Sequence, residues 1–352
     1  MASENQPESG NNTCDLGTPL HFHFSGRSAK NRFMKVSLTE RAATWSPVDK
    51  TDNGIPGDEL FNLYRSWGLG GYGVVLTGNV MIDRDNLESP GNMIIPIDAQ
   101  LSGQRLEAFK RLAAEAKTDG SLFIAQVSHP GRQVVSTLQP DPVSASDVQL
   151  TTQLFGAGFS KPHPASLEEI RAIKAGFVHA AVFLEKAGFD GIQLHGAHGY
   201  LLAQFLSETT NLRTDQYGGS IENRARLITE IADEIRKQTR PDFVLGIKIN
   251  SVEFQAKGFT VEEAAELCEL LEKHQFDFVE LSGGTYEEMG WVYRKESTRA
   301  REAFFLEFAE MITPRLQHTK TYVTGGLRSA RAMVDASKTV DGIGLGRPTS
   351  WN

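Results

Sequence analysis

Short apolar runs alternate with longer amphipathic segments through most of the chain, and this alternation restricts the fold more than any other feature. The runs are residues 33–38, 74–77, 121–127, 191–194, 244–249, 278–281, 321–324 and 342–345. Runs of that length bounded by turn residues, with helix-length stretches between them, are the pattern of repeated βα units and a parallel sheet. Eight parallel strands with right-handed helical crossovers close most simply into a (β/α)8 TIM barrel, an α/β fold; an open doubly wound sheet is the alternative. A chain of 352 residues can form such a barrel as one domain.

The segments between the runs carry helix ends with a stated mechanism. Ser166-Leu-Glu-Glu169 and Thr260-Val-Glu-Glu263 read as capping boxes, and Ser220 is placed to cap a helix beginning at Ile221. Gly188 stands where a left-handed residue would end the helix that starts near Leu167. Leu20 to Phe24 alternates with period two and predicts a short hairpin strand ahead of the main fold. Residues 1–15 are polar and predict a disordered tail, leaving 16–352 as the barrel. Residues 128–164, rich in Pro, Ser, Gln and Gly, are too long for an ordinary βα loop and predict a lid or a wall of the site. After the eighth run the sequence closes on Arg347-Pro-Thr-Ser-Trp-Asn352, so the expected barrel lacks its last helix.

The formal charge of −8, with 23% charged residues and no basic stripe, argues against a nucleic-acid or anionic-lipid partner. Cys14 and Cys268 are far apart with no C-x-x-C spacing, which argues against a disulfide framework, structural zinc or an iron–sulfur cluster. No stretch has the length of a membrane span, so a cytoplasmic enzyme acting on a small molecule is expected.

Gly68-Leu-Gly70-Gly-Tyr-Gly73 matches the dinucleotide pattern G-x-G-x-x-G in the wrong context. It follows a helix and leads into a strand, and therefore reads as a turn. Polar residues at barrel-interior parity are more informative: Thr39, Gln126 and Lys248 stand at or near C-terminal strand ends, where barrels build their sites. Lys248 between Ile247 and Ile249 requires an acceptor. Glu280 on the next strand would supply a purely structural one, and a ligand with an electron-rich edge would supply a functional one. Thr324-Gly325-Gly326-Leu-Arg328 and Gly344-Leu-Gly346-Arg347 follow the last two runs, where barrels commonly hold phosphate. His21 and His23 form an H-x-H pair, but the later ligands of a barrel metallohydrolase are missing, and no metal is expected.

The densest chemistry lies in His195-Gly-Ala-His198-Gly-Tyr200-Leu-Leu-Ala-Gln204-Phe205-Leu206, continuing to Asn211-Leu-Arg213-Thr-Asp215-Gln-Tyr217-Gly-Gly-Ser220-Ile-Glu-Asn223-Arg224. Together with Leu76-Thr-Gly78-Asn-Val, Ile124-Ala-Gln126-Val-Ser-His-Pro-Gly-Arg132-Gln and the closing G-x-G-R-P, it resembles the old yellow enzyme family of FMN-dependent ene-reductases over roughly residues 18 to 349. The resemblance implies an FMN-binding barrel that takes hydride from NADPH or NADH and reduces the C=C bond of an activated alkene, as a monomer or homodimer. It implies that Thr39 contacts the flavin C4 carbonyl region, Gly78 lets the backbone approach the ring and Gln126 pairs with the pyrimidine edge. Lys248 would sit by N1 and the C2 carbonyl, stabilising the anionic reduced flavin; many relatives carry Arg there, and Lys keeps the charge without the bidentate fork. Gly325, Gly326, Gly346 and Arg347 would hold the phosphate. His195 and His198 would hydrogen-bond the substrate oxygen, and Tyr200 would protonate the α-carbon. The other residues of the stretch read as structural: Leu201, Leu202, Phe205 and Leu206 as core, and Asp215, Gly218, Gly219 and Arg224 as loop organisers. Two other readings are an FMN-dependent isomerase or dehydrogenase, and a truncated family member with impaired catalysis.

Overall fold

The computed structural model describes residues 16–153, 156–250, 259–283 and 306–350. The tail at 1–15 lies outside these residues. The barrel strands are β1 (Phe33–Lys35), β2 (Val74–Met81), β3 (Leu122–Ser128), β4 (Gly191–Gly196), β5 (Val244–Asn250), β6 (Phe278–Ser282), β7 (Lys320–Thr324) and β8 (Gly342–Leu345). Each pairs in parallel with the next, and β8 pairs with β1, which closes the (β/α)8 barrel.

The surrounding helices are α1 (Asp58–Gly68), α2 (Gln104–Ala116), α3 (Leu167–Lys186), α4 (Leu201–Leu206), α5 (Ile221–Gln238), α6 (Val261–Lys273), α7 (Leu306–Ile312) and α8 (Ala330–Ala336). Both capping boxes form, at the starts of α3 and α6, and Ser220 caps α5 by accepting from the Asn223 N–H. Gly188 has φ 88°, as the end of α3 requires. The glycine-rich run is a turn from α1 into β2, with Gly71 at φ 78°. β8 leads into a 3₁₀ turn over Arg347–Ser350. No helix among the described residues is long and apolar enough to cross a membrane.

Alternate side chains along the strands point inward, and they sort into two levels. Met34, Val36, Val74, Leu76, Leu122, Ile124, Val244, Phe278 and Tyr322 fill the N-terminal half of the barrel. The period-two segment forms the expected hairpin, Leu20–His21 against Ser28–Ala29, and inserts Leu20, Phe22 and Ala29 into that cluster as a plug. Further along the same inward rows the residues become polar: Gln126, Gln193, His195, Lys248, Glu280 and Ser282, each buried. An apolar floor thus carries a polar layer that opens at the C-terminal mouth, the arrangement a site requires.

Segment 128–164 is anchored over much of its length. It contains the 3₁₀ turn Gly131–Gln133, a short parallel pair Val143–Ser144 with His163–Pro164, and a bridge from Val135 to Phe159.

Candidate active site

The polar layer is a continuous hydrogen-bonded network. Lys248 and Glu280 are register partners on β5 and β6, and Lys248 Nζ lies 2.9 Å from Glu280 Oε1. Thr324 Oγ1 donates to the same oxygen at 2.8 Å. The other carboxylate oxygen accepts from Gln193 Nε2 at 2.8 Å, Gln193 Oε1 accepts from Gln126 Nε2 at 2.7 Å, and Gln126 Oε1 accepts from Ser37 Oγ at 2.8 Å. The network therefore crosses the barrel from β7 to the end of β1. It satisfies the buried polar groups whose desolvation would otherwise be costly.

His195 is one register step from this network, opposite Lys248 on the β4–β5 pair. Its Nδ1 lies 3.0 Å from Asn79 Oδ1 and 3.3 Å from Ser128 Oγ, and its Nε2 lies 3.5 Å from His198 Nδ1. His198 Nε2 is 2.9 Å from Ser282 Oγ, and its backbone N–H donates to Asn250 Oδ1 at 3.1 Å. His198 has φ 57° and Gly199 φ 76°; two successive left-handed residues fold the chain back sharply enough to bring Tyr200 over His195. The two rings stack with centroids 4.1 Å apart, and Asn79 Nδ2 lies 3.4 Å from the Tyr200 hydroxyl and 3.2 Å from Thr39 Oγ1. Tyr200, His195 and Thr39 are thus drawn together around Asn79, with His198 at the other nitrogen of His195.

Burial is the main cause that moves both imidazoles to low pKa, with the charge of Lys248 acting in the same direction. His195 falls well below its ordinary value and His198 to about 3, so both rings are neutral near pH 7. In the neutral form one nitrogen donates and the other accepts. With the Asn79 oxygen facing it, His195 Nδ1 donates and Nε2 accepts. Turning the amide, or a donated proton from Ser128, makes Nε2 the donor that an anionic oxygen needs.

His129, which follows β3 and accepts the Gly131 N–H, is likewise lowered to about 4, chiefly by burial. Groups held neutral in the fold and charged at low pH in the unfolded chain stabilise the fold above their unfolded pKa of about 6.5, and that stability is lost as pH falls toward the folded values. His163, paired with Asp141 and Glu169, is shifted upward and acts in the opposite sense. Burial also lowers His179; four lowered histidines outweigh one raised one, so urea unfolding should show stability falling from pH 7 to pH 5. The expected decline approaches ~1.4 kcal/mol per pH unit for each lowered group; a flat profile would contradict the assignment.

The remaining expected residues occupy the rim. Gly325 and Gly326, at φ 127° and 79°, follow β7, and Gly346 and Arg347 follow β8 beside them, with Arg347 exposed. Gly78 lies in a β-bulge between Leu76 and Asn79, and its N–H donates to Glu40 Oε1 at 2.9 Å and to the Tyr64 hydroxyl at 3.0 Å. A side chain there would run into Glu40 and Leu38, so the backbone at Gly78 closely approaches the segment that follows β1. β1 itself is shorter than expected, ending at Lys35, and Thr39 lies beyond it, exposed to the mouth. His21 and His23 are on the hairpin at the opposite end of the barrel, where His23 stacks on His318 with centroids 3.9 Å apart. They cannot share an ion with His195 and His198.

The structural readings of the central stretch hold. Leu201, Leu202, Phe205 and Leu206 are buried. Arg224 donates to the Gly219 and Leu206 carbonyls and to Glu263, and Arg213 forks onto Asp215. Gln204 accepts from Ser144 Oγ and donates to the Pro130 and Gly199 carbonyls, tying α4 to the long loop. Gln193, Asn79 and Ser282 were not singled out by the sequence reading. Gln193 shares the inward parity of Gln126 and Lys248 and was open to the same argument, whereas Asn79 faces inward only because of the bulge.

The model of the NADH:flavin oxidoreductase / NADH oxidase family matches residues 15–349. The NADH-dependent flavin oxidoreductase nadA of Aspergillus parasiticus is 52% identical over 340 residues, covering 95% of this chain and 76% of that protein. The NADH-dependent flavin oxidoreductase iliE of Hypocrea jecorina is 30% identical over 348 residues, covering 93% and 84%. Among solved structures, morphinone reductase superposes with a TM-score of 0.74 at 24% identity over 95% of this chain and 86% of its own. An old yellow enzyme homologue from Zymomonas mobilis gives 0.74 at 23%, over 95% and 88%. At those identities the two structures establish the barrel fold, while the family match and the closer sequences carry the chemistry. The chain belongs to the NADH:flavin oxidoreductase / NADH oxidase family, the old yellow enzyme family, and is an NAD(P)H-dependent flavin oxidoreductase.

Proposed function

We propose that this protein uses FMN and NAD(P)H to reduce the C=C bond of a small α,β-unsaturated carbonyl compound or similarly activated alkene at the C-terminal mouth of the barrel. The observation that carries the reading is the juxtaposition of two neutral imidazoles and the Tyr200 phenol beside the buried Lys248. The donor set suits FMN. Lys248 and Gln126 offer a cation and an amide to a polar ring edge, Thr39 lies on the rim, and Gly78 lies in the bulge of β2. Gly325, Gly326, Gly346 and Arg347 offer backbone N–H groups and a guanidinium to a phosphate.

Bound FMN supplies the hydride-carrying chemistry. The chain's own residues do the rest. His195 and His198 direct N–H groups at the substrate oxygen, and being neutral they stabilise the charge that develops there without protonating it beforehand. Lys248 contributes positive charge to the same layer. Tyr200 delivers a proton to the α-carbon, a strongly basic, enolate-like centre that a phenol can protonate. Asn79, within reach of both His195 Nδ1 and the Tyr200 hydroxyl, couples the orientation of its amide to the tautomer of His195. Tyr200 stands at the N-terminus of α4, which holds the phenol against the His195 ring.

Product analysis tests the reaction class. With 2-cyclohexenone and NADPH under argon, the flavinated protein should form cyclohexanone in step with NADPH consumed. Substrate conversion that needs no NADPH would instead identify an isomerase.

A further inference from the structure

Glu280 is fully buried in the layer that holds Lys248, and ionised it has only lone pairs to offer. One oxygen accepts from Lys248 and Thr324 and the other from Gln193. This has an electrostatic and a directional consequence. Part of the Lys248 charge is taken up inside the barrel wall rather than offered to a ligand. Gln193 must turn its NH2 toward the carboxylate, so its oxygen faces Gln126; Gln126 must then turn its own NH2 toward Gln193 and keeps its oxygen as an acceptor, where Ser37 also donates. A chain of amides ending on a carboxylate has one polarity, and that polarity presents an acceptor at residue 126, complementary to an imide N–H.

We propose that Glu280 is a positioning residue that sets both the charge and the hydrogen-bond polarity of the flavin pocket. It tempers Lys248, which lowers the preference for reduced over oxidised cofactor, and through Gln193 it fixes the amide of Gln126. The inference rests on FMN occupying the mouth, as proposed above.

The test is the midpoint potential of bound FMN, by dye equilibration under argon, together with the Kd for oxidised FMN. In Glu280→Gln the preference for the reduced form should rise at least about tenfold, about 30 mV for a two-electron couple. Glu280→Asp, which keeps the charge, should stay near wild type. An unchanged or lowered potential in Glu280→Gln, or a potential in Glu280→Asp that moves as far as in Glu280→Gln, overturns the charge role.

Gln193→Leu keeps the ion pair and provides a measurement if Glu280→Gln does not fold. It should weaken oxidised FMN binding about tenfold, the order expected for one lost hydrogen bond, with the potential unchanged. Wild-type affinity in Gln193→Leu overturns the directional role. Wild-type protein that takes up no FMN would refute the cofactor assignment itself, a result separate from all of these.

Discussion

Tyr200→Phe should bind FMN normally and still consume NADPH to reduce it, while turning over enones about 10²- to 10⁴-fold more slowly, the usual contribution of a positioned general acid. The expected separation follows from geometry. The Tyr200 ring stacks on His195 and is 5% exposed, so removing the hydroxyl preserves the packing and deletes only the proton donor and the acceptor of the Asn79 N–H. Stopped-flow absorbance divides the two half-reactions. A loss confined to the oxidative half supports the acid role; equal losses in both would mean that the phenol orders the site without donating a proton to substrate.

Lys248→Met should be more damaging, because it acts on the fold as well as the site. The substitution leaves Glu280, fully buried, without its cation. Breaking a buried pair by removing one partner costs roughly 3–5 kcal/mol, far more than the pair's net contribution. Thr324 and Gln193 still donate to the carboxylate, which places the expected loss at the lower end of that range. Denaturant unfolding of the flavin-free protein measures it directly. The companion Lys248→Met/Glu280→Gln should recover most of the stability while leaving FMN affinity low, since an uncharged pair no longer strands a buried ion. If the single substitution costs less than about 1 kcal/mol, the pair is solvated like a surface bridge, and the account of a dry polar layer is wrong.

Much of this layer was legible from residues because a parallel barrel strand has strict alternation. Once Lys248 is placed inward between Ile247 and Ile249, the neighbouring strands supply Glu280 and His195 at the same level through the register. The capping boxes were legible for an equally local reason, needing only four consecutive residues. Asn79 was hidden because the bulge between Leu76 and Asn79 breaks the alternation, handing the inward position from Gly78 to Asn79. Lys35 was hidden differently. It is buried outside the sheet, its Nζ donating to the Leu76 carbonyl at 2.9 Å and lying 3.6 Å from the Trp67 ring centroid, and burial lowers its pKa to about 7. A lysine in a short strand carries no local mark of an aromatic partner supplied by α1. The reversal at His198, a non-glycine residue in the left-handed region, also depends on tertiary contacts, here its backbone N–H on Asn250.

The most direct test of the central claim is one anaerobic cycle followed by absorbance. FMN-loaded protein treated with one equivalent of NADPH should lose its flavin absorbance, and 2-cyclohexenone added afterwards should restore it with one equivalent of cyclohexanone formed. Failure to take up FMN, or loss of absorbance that the enone does not reverse, would contradict the assignment of the barrel mouth as an alkene-reducing site.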